Sequence, residues 1–232
     1  MKFSIPFVGK IIKWIVAAFF ASTILSVVVL KVVPVYFTPL MFIRIAENIK
    51  EGKTPRLNHH WVPLDEMTTD MPRAVMASED SRFLIHHGFD FDAIQQAAKR
   101  NAASRQKKFG ASTISQQTAK NVFLWPGRSW LRKGLEMYFT VLIEFVWGKE
   151  RIMEVYLNSI EMGDGIYGVD AVAEEHFGKT AKTLSRRDCA LIAVTLPNPR
   201  KFSSKDPSDY MVRRQRRIAS DIRFVKWKKE TE

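Results

Sequence analysis

The residues best able to do chemistry lie in short clusters. The first runs Glu79-Asp80-Ser81-Arg82-Phe83-Leu84-Ile85-His86-His87-Gly88, with two adjacent acids and two adjacent histidines before a glycine. A general base needs a carboxylate held near the proton it takes, with its pKa raised toward the working pH. Glu79 ends an apolar segment, RAVMASED, where partial burial raises a carboxylate's pKa. The competing reading is a helix-terminal surface cluster. His86 and His87 make a poor metal pair, because adjacent side chains point apart on a helix and neither has a histidine four residues away.

The second cluster is Gly110-Ala111-Ser112-Thr113-Ile114-Ser115-Gln116-Gln117, followed by Lys120 and Asn121. Helical spacing puts Gln116 with Lys120 and Thr113 with Gln117, a polar face carrying one cation. An ordinary capped, solvated helix has the same pattern. The third cluster is Arg128, Arg132, Lys133 and Glu136. Three cations in or beside the first turn of a helix oppose its dipole, at some tenths of a kcal/mol each. The arrangement makes sense if a strong anion such as phosphate or diphosphate docks there. The alternative for Arg132 and Glu136 is a surface ion pair of small worth. The fourth cluster, KERIMEVYLNSIEMGDGIYG from Lys149 to Gly168, reads first as a packing helix followed by a structural glycine turn.

These clusters need a scaffold to position them. The chain has 232 residues, is 46% hydrophobic and carries a formal net charge of +12. That suits one domain with appendages and excludes global disorder. One cysteine, Cys189, excludes a disulfide framework. The positive balance calls for anionic partners. Trp14 to Leu30 contains no charge and approaches the roughly 20 apolar residues that span a bilayer. Lys2, Lys10 and Lys13 precede it, so the positive-inside rule keeps the N-terminus cytoplasmic and exports the rest. The readings are a signal anchor, a cleaved signal peptide and a buried helix; the anchor is preferred because no A-x-A site follows. Export argues against a nucleic-acid partner. The expected divisions are a cytoplasmic 1–13, an anchor 14–36, a membrane-proximal segment 37–70 and a domain 71–232.

Leu40 to Ile43 reads equally as the start of a core helix or as a segment lying on the membrane surface. Residues 50–70 read as loop. Beyond Pro72 the pattern is helical: a helix from Asp90 to Ala102, a basic loop from Arg105 to Gly110, and a Thr113–Gln116 capping box opening a helix to about Val122. Ser129 caps a long helix to Phe145, closed by Gly148. Helices follow over Lys149–Asn158 and Val169–Phe177, the latter ending at Gly178. A second capping box, Ser185 with Asp188, opens CALIAVTL, and a basic helix starts near Ser208. No run of alternating strands or internal repeat stands out, so the fold class is mainly α.

In order, these segments resemble the motifs of the family 51 glycosyltransferases, the peptidoglycan glycosyltransferase domain. The first cluster is similar to E-D-x-x-F-x-x-H-x-G, the second to G-x-S-T-I-[TS]-Q-Q-x-x-K-N, the third to R-K-x-x-E and the fourth to K-x-x-I-L-E-x-Y-L-N, with Met153 where leucine is usual. Ala190 to Pro199 resembles an A-L-L-A-x-L-P-N-P block, with Ile192 and Thr195 as mild departures. Five motifs in sequence over Glu79 to Pro199 are far more specific than any one. The resemblance is to monofunctional members: no room is expected for a transpeptidase domain, and Ser104 with Lys107 forms an isolated S-x-x-K without S-D-N or K-T-G companions.

The resemblance implies a lysozyme-like helical domain with a small membrane-touching lobe. It also implies an activity: polymerisation of lipid II by attack of its GlcNAc 4-hydroxyl on the lipid-diphosphate-linked growing chain, with inversion. By motif match, Glu79 is the general base and Glu136 a second acid. Lys120, Arg128, Arg132 and Lys133 hold the diphosphate. Asp80, Ser112, Gln116 and Gln117 line the cleft. Phe83, His86, Gly88, Asn158 and Gly168 give structural support. No protein-held metal is expected; a divalent cation, Mg or Mn, accompanies the diphosphate. Lipid II, the nascent glycan, the inner membrane and other cell-wall synthesis proteins are the implied partners. The basic tail, Arg213, Arg214, Arg216, Arg217, Arg223, Lys226, Lys228 and Lys229, reads as a solvated helix or as a contact for anionic headgroups. Two other readings are a glycan-cleaving lysozyme-like enzyme, which does not need the cation cluster, and an inactive membrane-anchored scaffold, which does not need Glu79 or Lys133.

Overall fold

The computed structural model describes residues 5–103 and 110–227. The basic loop Arg105 to Lys108, the Ser104/Lys107 pair, Lys228 and Lys229 lie outside them. The chain divides into two units, Met1–Pro34 and Val35–Glu232.

The first unit is helix α1, Ile5–Leu30. It starts before Trp14 and stops before residue 36, because Pro34 lacks the N–H a further turn requires. Gly9–Leu30, 22 residues, is long and apolar enough to cross a membrane, spanning about 33 Å at ~1.5 Å per residue. The hydroxyls in this stretch bond back to the helix: Ser22 to the Phe19 carbonyl at 3.0 Å, Thr23 to the same carbonyl at 2.8 Å, and Ser26 to that of Thr23 at 2.7 Å. Large apolar side chains, among them Trp14, Ile15 and Leu25, are exposed on the unit. A helix apolar on every side fits hydrocarbon rather than water.

The second unit is mainly α. Thr38 caps α2, Pro39–Lys50, accepting from the Met41 amide at 3.4 Å, and Pro39 occupies the first turn where its missing N–H costs nothing. Within Leu40–Ile43, Met41 is fully buried and Phe42 is 57% exposed. Then come α3 (Asp70–Glu79), α4 (Phe91–Ala103), α5 (Ile114–Phe123), α6 (Trp130–Val146), α7 (Gly148–Ser159), α8 (Val169–Phe177), α9 (Arg186–Thr195) and α10 (Asp209–Asp221). The two predicted capping boxes form, Thr113 with Gln116 and Ser185 with Asp188. Ser129 caps α6, Ser208 caps α10, and Gly178 closes α8 in the left-handed region.

Two packing groups make the core. In one, α9 lies between α3 and α10; in the other, α5 packs on α6 and α7. α7 and α9 carry much of the core: Ile152, Met153, Val155, Tyr156 and Leu157 are fully buried, as are Cys189, Ala190 and Ile192 to Val194. Burying each such aliphatic side chain contributes about 1.5–3 kcal/mol before entropy is charged against it.

Residues 50–70 and the Met162–Gly168 segment, expected as loops, contain a small sheet. β1 (Asn58–His59), β2 (Glu161–Gly163) and β3 (Ile166–Tyr167) stand in the order β1-β3-β2. β1 is parallel to β3, and β2 antiparallel to it. Strands of two or three residues are too short for alternation to betray them. Gly168 follows the sheet at φ +84°, where a Cβ would come within 2.7 Å of the Asn158 carbonyl oxygen, so only glycine lets the chain turn into α8. Asn158 is itself a fixed support: its side chain accepts from the Val62 amide and donates to the Val62 carbonyl, both at 2.9 Å.

Candidate active site

Glu79 is the last residue of α3, beside the seam between the two packing groups. Its Oε2 accepts from Gln117 Nε2 of α5 at 3.2 Å, and Ser78 Oγ lies 3.3 Å from its Oε1. Gln117 Oε1 accepts from the hydroxyl of fully buried Tyr156 at 3.2 Å. Burial raises the Glu79 carboxyl above the usual carboxylate range, against the hydrogen bonds from Gln117 and Ser78 and the charge of Arg214, while Asp80 adds to the rise. Arg214 comes from the basic helix α10 and donates to Ser78 Oγ at 3.4 Å. One arginine of the tail therefore turns inward toward Glu79.

Asp80 does something different from its neighbour. It is buried, its carboxylate lies 2.9–3.0 Å from His86 Nε2, and Oδ2 accepts the Ile114 amide at 3.0 Å. It ties the end of α3 to the first turn of α5. The buried His86 ring lies edge-on to fully buried Phe83. Gln116 is likewise engaged elsewhere: it is buried, and its Oε1 closes the capping box on the Thr113 amide at 3.1 Å. Of the adjacent glutamines it is Gln117 that reaches Glu79. Ser112 is exposed just ahead of the cap. Gly88 sits at φ +89°, where a Cβ would meet Thr140 Cγ2 at 2.9 Å, and its carbonyl accepts from Thr113 Oγ1 at 2.7 Å.

Cations gather near this carboxylate. Glu136 is buried in α6 and pairs with Lys133 and, at 3.8 Å, with Arg132. Lys120 of α5 has its ammonium pKa lowered, by burial first and then by Arg132 and Lys133, with Glu136 and Glu79 acting the other way. Lys120 is thus the electrostatic link between the two acids. An open cleft of about 260 Å³ lies here, with Lys120, Arg128 and Arg132 on its walls. Ser129 caps the Arg132 amide at 3.1 Å, so the side chains supply the donors.

A half-buried carboxylate held beside a cationic cleft suits glycosyl transfer from a diphosphate. A family model described as Transglycosylase matches residues 46–223. The chain belongs to the transglycosylase family. Its relatives include proteins named "Biosynthetic peptidoglycan transglycosylase". One, from Bacteroides thetaiotaomicron, is 58% identical over 89% of this chain and 83% of its own. One from Bdellovibrio bacteriovorus is 53% identical over 90% and 85%, and one from Caulobacter vibrioides is 46% identical over 91% of each.

This transglycosylase site also contains residues that sequence reasoning missed. Tyr156 appeared only as core, though its hydroxyl orients Gln117. Leu40 and Arg44 of α2 form a wall of the cationic cleft, together with Asn121, Leu124 and Trp125. Leu40 and Arg44 are four apart on a helix outside the five motifs, so only the tertiary packing of α2 on α5 reveals them.

Proposed function

We propose that this chain polymerises the glycan strands of peptidoglycan. It transfers the growing lipid-diphosphate-linked chain onto the GlcNAc 4-hydroxyl of lipid II and forms β-1,4 linkages with inversion. The observation that carries this reading is the pairing of a desolvated Glu79 with a cleft walled by cations. The hydroxyl proton passes to Glu79 as the oxygen attacks the donor's anomeric carbon. The bond from that carbon to the diphosphate oxygen breaks, and the diphosphate leaves carrying the electron pair. Lys120, Arg128, Arg132 and Lys133 stabilise its charge. Glu136 orients Lys133 and Arg132. Direct displacement gives inversion without a covalent intermediate, and a diphosphate needs no strong acid to depart.

Glu136 is the carboxylate at this cation cluster, and it is already claimed by Lys133 and Arg132. Among the described residues no group of three or more histidines, cysteines or carboxylates is placed to hold a metal. The donor set does not fit a protein-held divalent ion, and no step is assigned to one; Mg or Mn arriving with the diphosphate belongs to the substrate.

The apolar helix Gly9–Leu30 supports a single-pass anchor. Lys10 and Lys13 near its N-terminal end favour a cytoplasmic N-terminus, with the catalytic unit outside the inner membrane. Exposed arginines of α10 suit anionic headgroups, and other cell-wall synthesis proteins are the natural partners. The test is incubation of the detergent-solubilised full chain with labelled lipid II, beside Glu79→Gln. Lysozyme-sensitive polymer from the parent protein alone is the expected result. Polymer from both removes Glu79 from its role, and polymer from neither overturns the reading.

A further inference from the structure

The cationic cleft has a wall that the motifs do not supply. Its described lining is Leu40, Arg44, Lys120, Asn121, Leu124, Trp125, Pro126, Gly127, Arg128 and Arg132. Four of these are cations and none is a carboxylate. Three come from α5 and the α5–α6 region. The fourth, Arg44, comes from α2, one helical turn beyond Leu40 and facing them across about 260 Å³.

Arg44 is tethered yet not saturated. Its Nη1 donates to Glu47 Oε2 at 2.6 Å, and that carboxylate is 39% exposed. Its Nε lies 3.6 Å from Glu161 Oε2, an ion-pair distance, and has no hydrogen-bond acceptor although it is buried. Glu161 is buried at the start of β2, and its carboxyl is pushed up by burial and held back by Arg44. The guanidinium therefore has a fixed back, against Glu161, and an exchangeable front, against Glu47. A planar guanidinium matches two phosphoryl oxygens at once, and a surface carboxylate three residues away is a weak competitor for it.

We propose that Arg44 is a diphosphate-binding residue of this cleft. On ligand entry it exchanges the Glu47 carboxylate for phosphoryl oxygens while Glu161 keeps it in place. This rests on reading the cleft as the diphosphate site. It adds a fifth cation to the four already assigned to the diphosphate, and it makes α2, which lies before the family's motifs in sequence, part of the substrate site.

The test measures binding of a short-chain polyprenyl diphosphate to the detergent-solubilised full chain by calorimetry. Arg44→Gln, Arg44→Lys, Glu47→Gln and Arg132→Gln are compared with the parent, and melting temperatures are recorded for all. Arg44→Gln is expected to weaken binding about ten- to hundredfold, the scale of one lost charge-assisted pair. Arg44→Lys should recover part of that loss. Glu47→Gln removes the competitor and should tighten binding a few-fold, which a purely structural role for Arg44 does not predict. The polyprenyl monophosphate should show a smaller Arg44 dependence than the diphosphate. If Arg132→Gln loses the diphosphate while Arg44→Gln binds it as the parent does, Arg44 has no such role and the cleft reading stands. If the parent itself does not bind the diphosphate, the cleft reading fails and the Arg44 proposal with it. If Arg44→Gln does not fold, unchanged binding by both Arg44→Lys and Glu47→Gln overturns the proposal.

Discussion

Gln117 donates to Glu79 from another helix, 3.2 Å away across 38 residues of chain, and Tyr156 holds the far end of the same amide. The base is thus aimed by a neutral side chain that is itself aimed by a buried phenol. The hydrogen bond favours the ionised carboxylate, whereas burial favours the neutral one and prevails.

A base must be ionised to work. The polymerisation rate should therefore fall as pH drops through a Glu79 pKa above the ordinary carboxylate value. Gln117→Met removes the donor that favours the anion, so the acid limb of the pH–rate profile should move further up. Initial rates with labelled lipid II across pH measure this; an unmoved limb would separate Gln117 from the base.

The same raised pKa has a stability sign. A carboxyl whose folded pKa exceeds its unfolded one contributes stability when protonated, and that contribution is lost as pH rises through the folded value. At neutral pH ionised Glu79 is a cost to the fold. Glu79→Gln should lower the rate by about 10²–10⁴-fold while melting at or above the parent's temperature at pH 8, by calorimetry in detergent.

Lys120 acts in its charged form, and burial with neighbouring cations lowers its pKa. The alkaline limb should appear below the usual lysine range. Lys120→Arg keeps the charge to higher pH, so its alkaline limb should shift upward even where its maximal rate is reduced. A limb that stays in place would assign that titration to another group.

Asp80 couples His86 to the first turn of α5. Asp80→Ala leaves the buried Ile114 amide without its acceptor and should destabilise by about 1–3 kcal/mol, read from urea midpoints. Asp80 also pushes the Glu79 pKa upward. The acid limb of the surviving activity should therefore move down, opposite in sign to Gln117→Met. A loss of rate with full stability would mean that Asp80 lines the cleft after all.

Gly88→Ala should cost about 1 kcal/mol or more, from a positive φ together with a close approach to Thr140. Thr140→Ser removes the contacting methyl, so the double variant should regain only the steric part. Melting curves of the three variants measure the division; full recovery would leave the backbone strain without effect.

Much of this was legible where a signal is local. Thr113, Ser129 and Ser185 announce helix starts, because a cap is written within four residues. Gly178 announces a stop, and Trp14 to Leu30 shows its length and apolarity without any partner. The strands escaped, since two residues carry no period. Arg44 escaped because its cleft partners lie on α5 and beyond, and no spacing rule reaches that far. The capping-box spacing marks Gln116, but nothing in the sequence aims Gln117. Helix geometry alone turns one to its own cap and the other to Glu79.

That last division makes α5 sensitive to phase. Successive residues on a helix point about 100° apart, so deleting Ser115 would rotate every following side chain by that angle. The glutamine facing Glu79 would swing away, and Lys120 would leave the cleft with it. A point change here removes one function, whereas a one-residue slip removes base alignment and charge together. The segment between Thr113 and Lys120 should therefore tolerate conservative replacement far better than any change of length.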